Sequence, residues 1–168
     1  MKKLFILFTL ILFIITCGKD KDNIKDGYFS YPYENGQLHM EGNHKNGKKD
    51  GKWTIYFENG QIDNIQHYKN GKKDGKWVWN YDNGQIKMKG NHKNGKKDGQ
   101  WTAWYTTGEK KYENTYKDGK LDGQNNLWYK SGKKWFQKNY KDGKLILQRC
   151  FDVDGNECEC SDLGRGCK

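Results

Sequence analysis

Glycines recur every 24 residues through most of this chain, and that spacing constrains the fold more than any single motif does. Gly27, Gly51, Gly75, Gly99 and Gly123 form one column; Gly36, Gly60, Gly84, Gly108 and Gly132 form a second; Gly47, Gly71, Gly95, Gly119 and Gly143 form a third. A fixed period of this length means one supersecondary unit copied in series, with each copy touching only its neighbours. Five copies cover residues 27–146. Chemistry carried by such units recurs in ladders and does not converge on one pocket.

Each copy reads as a β-hairpin. In Gly51-Lys52-Trp53-Thr54-Ile55-Tyr56-Phe57-Glu58-Asn59-Gly60, the set Trp53, Ile55, Phe57 alternates with Lys52, Thr54, Glu58, the period of a half-buried strand. Asn59-Gly60 suits the two positive-φ positions of a type I′ turn. That turn sets Phe57 opposite Ile62, Ile55 opposite Asn64 and Trp53 opposite Gln66. The same register puts Trp77 across from Gly90 and Phe29 across from Gly42, where a missing side chain leaves room for the ring. Thr107-Gly108 and Ser131-Gly132 suit type I′ less well and predict a longer loop with a bulge. Connections such as 70–75 lead into the next strand. The expected fold class is all-β: a single-layer antiparallel meander of about ten strands built from five 24-residue hairpins.

Composition decides what the core is made of. From Cys17 onward there are 18 Leu, Ile, Val and Phe in 152 residues, near 12%, with 29 basic and 21 acidic side chains. Those values alone predict disorder. The same stretch holds 7 Trp and 11 Tyr, so aromatic rings must supply the core. An α/β enzyme with a deep aliphatic interior is excluded on these grounds.

The N-terminus speaks for export. Met1-Lys2-Lys3 precedes an apolar stretch of 13 residues, 4–16, too short to span a bilayer comfortably and placed where a secretory signal belongs. The segment Ile14-Ile15-Thr16-Cys17-Gly18 resembles a bacterial lipobox, which implies cleavage before Cys17 and acylation of its sulfur. Acyl chains at about 0.8 kcal/mol per buried CH₂ would hold the protein to a membrane without a transmembrane helix. Thr16 departs from the usual Ala or Gly, and an ordinary signal peptide with an incidental Cys17 is the other reading. The domain plan is then signal peptide 1–16, lipidated Cys and polar tether 17–26, repeats 27–146 and a Cys-rich cap 147–168. The expected address is the cell envelope, at the outer membrane or cell surface.

Copies of Asp-Gly-Lys-Trp-x-x-Tyr/Phe-x-Asn-Gly-Gln followed by Tyr/His-Lys-Asn-Gly-Lys-Lys resemble the bacterial MORN repeat variant over most of the chain beyond the leader. The resemblance implies a hairpin meander. Such chains are often labelled antitoxins of a toxin–antitoxin pair, and eukaryotic MORN proteins are linked to phospholipid binding and protein scaffolding. Neither role has matched catalytic residues in this sequence.

Three groups of residues are candidates for function. Trp53, Trp77, Trp79 and Trp101, with Tyr81, Tyr105 and Tyr129, fall on one inferred side of the sheet, while Tyr56, Trp104 and Trp128 point to the other. Rings one repeat apart recur roughly every 9.6 Å, from a strand spacing of about 4.8 Å. They either pack against one another as core or hold a peptide, a glycan or a partner's apolar face. Lys48, Lys49, Lys72, Lys73, Lys96 and Lys97, with Lys45, Lys69, Lys93, Lys117, Lys120, Lys141 and Lys144, gather on one edge. They are a solvated rim or an attractor for anionic lipid or polysaccharide, weakened by Asp50, Asp74, Asp98, Asp118 and Asp142 in the same turns. Nucleic acid is disfavoured by export.

The third group is Cys150, Cys158, Cys160 and Cys167, an even number in an exported tail, which predicts two disulfides. A turn at Asp154-Gly155 would bring Cys150 near Cys158 or Cys160, and a stapled hairpin would block the last repeat's open edge. A Cys₄ zinc site is the alternative, against which the Cys-x-Cys spacing and an oxidising compartment speak. His39-Met40-Glu41 lacks the second half of a zinc deaminase signature. His44 and His92 occupy a column held elsewhere by Tyr68, Tyr116 and Tyr140, so they read as aromatic substitutes. The run 152–157 lacks the spacing of a calcium loop. No nucleophile–base set and no cofactor site are apparent. The expected function is a non-enzymatic, envelope-anchored scaffold that binds a protein or peptide, with an antitoxin or immunity role, or anionic lipid or polysaccharide binding, as alternatives.

Overall fold

The computed structural model describes residues 24–161 and 166–168. The leader, Cys17 and the tether up to residue 23 lie outside the described residues. Repeat one forms β1 (Gly27–Pro32) and β2 (Leu38–Lys45), repeat two β3 (Lys48–Tyr56) and β4 (Ile62–Lys69). Repeat three forms β5 (Lys72–Lys73), β6 (Gly75–Asn80) and β7 (Ile86–Lys93), and repeat four β8 (Lys96–Trp104) and β9 (Lys110–Lys117). Repeat five forms β10 (Lys120–Trp128) and β11 (Lys134–Lys141), and the tail adds β12 (Lys144–Phe151) and β13 (Glu157–Cys158). Each strand pairs antiparallel with its sequence neighbours in a single 13-stranded open sheet; β5 pairs only with β4. The ten strands of the five hairpins are therefore all present. β5 is the broken-off start of β6, and β12 and β13 extend the sheet beyond the repeats.

The two glycine-closed turns of each repeat differ, and the type I′ geometry expected at Asn59-Gly60 forms at the other one. At Asn59-Gly60 only Gly60 has positive φ, 81°. The Gly60 amide donates to Phe57 O at 2.9 Å and the Phe57 amide to Gln61 O at 2.8 Å. This is a type I turn closed by a left-handed glycine, which inserts one extra residue and places Tyr56, not Phe57, across from Ile62. Gly108 and Gly132 close the same turn, with amides bonded to Tyr105 O and Tyr129 O at 3.0 Å, so Thr and Ser in place of Asn change nothing. Both residues have positive φ instead at Asn46-Gly47 (52° and 67°) and its four equivalents, the two-residue loops after the second strand of each hairpin. Asn and Asp tolerate that conformation best after Gly.

Every type I′ turn is flanked by directly opposed lysines: Lys45↔Lys48, Lys69↔Lys72, Lys93↔Lys96, Lys117↔Lys120 and Lys141↔Lys144. Further in, the ladder is interrupted by a bulge. Between Gly42↔Trp53 and Asn43↔Asp50, β3 carries two residues that β2 does not match, beginning at Gly51. The interruption gives the Trp side chain a backbone partner. Trp53 Nε1 donates to Asn43 O at 3.1 Å, Trp77 Nε1 to His67 O at 3.2 Å and Trp101 Nε1 to Asn91 O at 3.0 Å. The first and third indoles lie flat over Gly42 and Gly90, where any Cβ would overlap the ring. These contacts bury Trp53, Trp77 and Trp101 to 0%, 2% and 1% exposure without a second layer.

The expected pairs Trp53↔Gln66, Ile55↔Asn64, Trp77↔Gly90 and Phe29↔Gly42 are all formed. Disulfides join Cys150 to Cys160 and Cys158 to Cys167. The cap they staple is narrower than the sequence suggested. β13 pairs only with Cys150 and Phe151, so Leu145, Ile146 and Leu147 on β12 remain 50%, 62% and 53% exposed. Among the described residues no helix is long and apolar enough to cross a membrane.

Candidate functional site

The first face is an aromatic ladder closed by lysines. Lys49 Nζ sits 4.1 Å from the Trp53 ring and 5.4 Å from Tyr68; Lys73 Nζ is 4.3 Å from Trp77; Lys97 Nζ is 4.5 Å from Trp101 and 4.9 Å from Tyr116. Each ammonium lies against a ring face, where the quadrupole attracts it, while its stem covers apolar surface. Burial lowers the Lys49 pKa. Trp79 is half-buried between Trp77 (5.2 Å between centroids) and Trp101 (5.9 Å). His44 packs between Phe29 and Trp53 at 4.9 Å from each, and His92 between Trp77 at 4.7 Å and Trp101 at 4.9 Å. Neither Nδ1 has a hydrogen-bond partner among the described residues. Burial first, then Lys73 and Lys97, push the His92 pKa down to about 4. Trp53, Trp77 and Trp101 are core, and no ligand reaches them in this conformation.

The second face carries the open rings. Tyr56, Trp104 and Trp128 are half-buried. Tyr56 donates to Glu41 Oε1 at 2.7 Å, and Tyr28 donates to the same carboxylate; the two hydroxyls hold Glu41 below the usual carboxylate range. Lys89 Nζ lies 5.3 Å from Trp104 and Lys110 Nζ 5.5 Å from Trp128. A cleft of about 350 Å³ opens beside Trp104, lined also by Gln85, Ile86, Tyr105 and Gly108. The walls are mostly apolar, and Ile86 is 43% exposed. A second, polar cleft of about 250 Å³ lies between Lys76, Lys89, Asn91 and Gln100.

The rim lysines divide between the faces. Lys49, Lys73 and Lys97 belong to the ladder, whereas Lys48, Lys72 and Lys96 are exposed on the opposite face. Alternation along the strand makes that division: Lys49 pairs with His44, which packs edge-to-face with Trp53, so its neighbour Lys48 must point the other way.

One device had no readable signal. Tyr33, Tyr81 and Tyr105 each donate a hydroxyl hydrogen bond to the backbone carbonyl 23 residues ahead, at Tyr56 O (2.6 Å), Trp104 O (2.8 Å) and Trp128 O (2.9 Å). Tyr129 reaches Phe151 O at 3.1 Å. These latches tie consecutive hairpins together beside the open rings. The tyrosine column is visible in sequence, but its acceptor is main chain, and main chain leaves no sequence trace. Tyr105→Phe removes the donor and leaves the Trp128 carbonyl half-served, so urea denaturation should show a loss of about 1 kcal/mol.

The remaining motifs are structural. The His39 ring packs 4.3 Å from Tyr33, away from any cysteine, and the Asp152 carboxylate accepts from the amides of Asp154 and Asn156 at 2.9 Å, closing the last turn. Those amide bonds lower the Asp152 pKa. Both Cys pairs are disulfides, which occupies all four thiols that a zinc site would use.

The family model of the MORN repeat variant matches residues 25–46, 49–70, 73–94 and 97–118, together just over half of the chain. The chain belongs to the MORN repeat variant family. No curated protein matches it. The MORN match stops before repeat five, where Asn125 replaces the ladder tryptophan and its buried Oδ1 has no partner among the described residues. The backbone of that fifth hairpin is nevertheless intact: Gly123 pairs with Tyr140 and the latch from Tyr129 is in place.

Proposed function

We propose that this MORN repeat chain is a non-enzymatic display scaffold, held to the cell envelope through an acylated Cys17, which binds an extended protein segment along the face carrying Tyr56, Trp104 and Trp128. The observation that carries the reading is the apolar cleft beside Trp104 and Tyr105, with Trp128 one repeat further on. Equivalent positions in consecutive hairpins are about 9.6 Å apart. A polyproline II segment presents the same face every three residues, about 9.3 Å, so it can lay successive side chains against Trp104 and Trp128. The tyrosine latches keep that spacing rigid, which lowers the entropic cost of binding.

Crosslinking in intact cells followed by mass spectrometry is the test. A defined protein partner should be captured by the wild type and lost when Trp104→Ala and Trp128→Ala are combined. Equal capture by the double variant would refute the docking face. The anchor is checked by a globomycin-sensitive mass shift that disappears in Cys17→Ser. An antitoxin role predicts a different result, rescue of growth on co-expression with a toxin encoded beside it.

A further inference from the structure

Like charges placed directly across a strand pair destabilise a hairpin. This protein does so at every type I′ turn, in the five opposed lysine pairs from Lys45/Lys48 to Lys141/Lys144. All of these lysines are exposed. Of these ten, Lys141 alone has a carboxylate of the described residues within 4.0 Å, Asp122 at 3.1 Å. The nearby acids are partly tied to main chain: Asp50 and Asp74 accept from the amides of Asn70 and Asn94 at 3.0 Å, and Asp122 accepts from the amide of Asp142 at 3.2 Å as well as from Lys141, knitting one turn to the next, while Asp118 and Asp142 stand within the fourth and fifth turns themselves. The stems are also supported. A Cβ on Gly71 would stand 3.3 Å from Lys48 Cβ, and one on Gly119 3.4 Å from Lys96 Cβ, so each glycine is a floor on which the preceding repeat's lysine lies.

We propose that this file of lysine pairs is a binding site for a linear anionic polysaccharide, independent of the aromatic face. Three features select that ligand. The pairs are about 9.6 Å apart along the sheet, close to the length of one disaccharide, whereas nucleic-acid strands carry a charge about every 3.4 Å. The rings that a single-stranded nucleic acid would stack on lie at the other end of the strands, at Trp104 and Trp128, or are buried. The sheet twists, so a single file of charges follows a curved path. A flexible chain can follow that path, and a flat bilayer cannot meet all five pairs. With 29 basic against 21 acidic side chains from Cys17 onward, the protein also draws the polymer in from a distance.

The test titrates the full chain in detergent micelles with oligogalacturonates of increasing length. Affinity should rise at least about tenfold as the oligomer grows from spanning one pair to spanning five, and should fall steeply with added salt. Combining Lys48→Gln, Lys72→Gln, Lys96→Gln and Lys120→Gln should abolish that gain while raising the melting temperature, because each change removes a repulsion from the free protein. Lys52→Gln, Lys76→Gln and Lys89→Gln together remove charge from the same face but leave the pairs intact, and should keep the length dependence. Binding that ignores oligomer length, or survives in the quadruple variant, overturns the proposal. So does a lower melting temperature in that variant, or tighter binding to polyadenylate or to phosphatidylglycerol vesicles than to oligogalacturonate of equal charge.

Discussion

Trp101→Ala should lower the unfolding free energy by about 3–5 kcal/mol, the range for emptying a buried aromatic site. Three losses coincide there. The indole is 1% exposed, its Nε1 bond to Asn91 O disappears, and Lys97 loses the ring face beneath its ammonium. The cavity cannot collapse from the far side, because the floor is the backbone of Gly90. Gly90→Ala approaches the same contact from the opposite direction. Its methyl group would overlap the indole, which is held by its hydrogen bond and by His92 against its edge, so about 2–3 kcal/mol should be lost through overpacking. The two changes must couple. In the Trp101→Ala background the Gly90→Ala cost should vanish, since the methyl then enters empty space, and a double-mutant cycle in urea reads the coupling directly. Additive losses would mean that Gly90 is retained for its backbone alone and that the ring-over-glycine contact is not what closes the ladder.

Acidification from pH 7 to pH 4 should destabilise the protein by up to about 3 kcal/mol through His92, one pKa unit being about 1.36 kcal/mol. The ordinary histidine value near 6.5 is held down to about 4 by burial and by Lys73 and Lys97. The unfolded chain therefore takes up a proton below pH 6.5 that the folded ladder refuses. Stability contributed by neutral His92 is complete above pH 6.5, declines as the pH falls, and is gone near 4, where the folded site protonates too. His44, lowered by burial and by Lys49, adds in the same direction. The groups facing His92 are Trp77 from β6, Trp101 and Lys97 from β8, and Lys73 from β5; none of them is an acid that could offset the imidazolium. His92→Tyr places in this column the residue found at Tyr68 and Tyr116 and should flatten the urea midpoint between pH 4 and 7. A variant with the same pH slope as the wild type would locate the effect elsewhere.

The neighbours behind these two effects are unequally legible in the sequence. Trp77 facing Gly90 and Phe29 facing Gly42 were readable because side chains alternate strictly and the glycine columns mark the register. The burial of the ladder was not readable. A single-layer sheet is expected to leave one face open, yet Lys49, Lys73 and Lys97 lie over the rings and the bulge frees a carbonyl for each indole. Lys48 and Lys49 look alike in a list of basic residues and have opposite fates, because one position of alternation separates a solvent-facing ammonium from a ring-bound one. Alternation along the strand separates the open rings Tyr56, Trp104 and Trp128 from the ladder, but the cleft beside Trp104 also takes in Ile86 and Tyr105, the latter expected on the ladder's side, and these come together only through the turn geometry.

By itself the sequence determined the period, the all-β hairpin architecture, the aromatic rather than aliphatic core and the facing partners within each hairpin except those beside the turn, where Tyr56 and not Phe57 meets Ile62. All of these follow from local chemistry: glycine spacing, two-residue alternation and ring content. Only the tertiary structure decided which Asn-Gly makes the type I′ turn, which lysines cover rings and which oppose one another, and which cysteines pair. The reason is that a bulge of one or two residues shifts every contact beyond it. Such a shift is set by hydrogen bonds across strands, and the linear pattern of residues does not encode it.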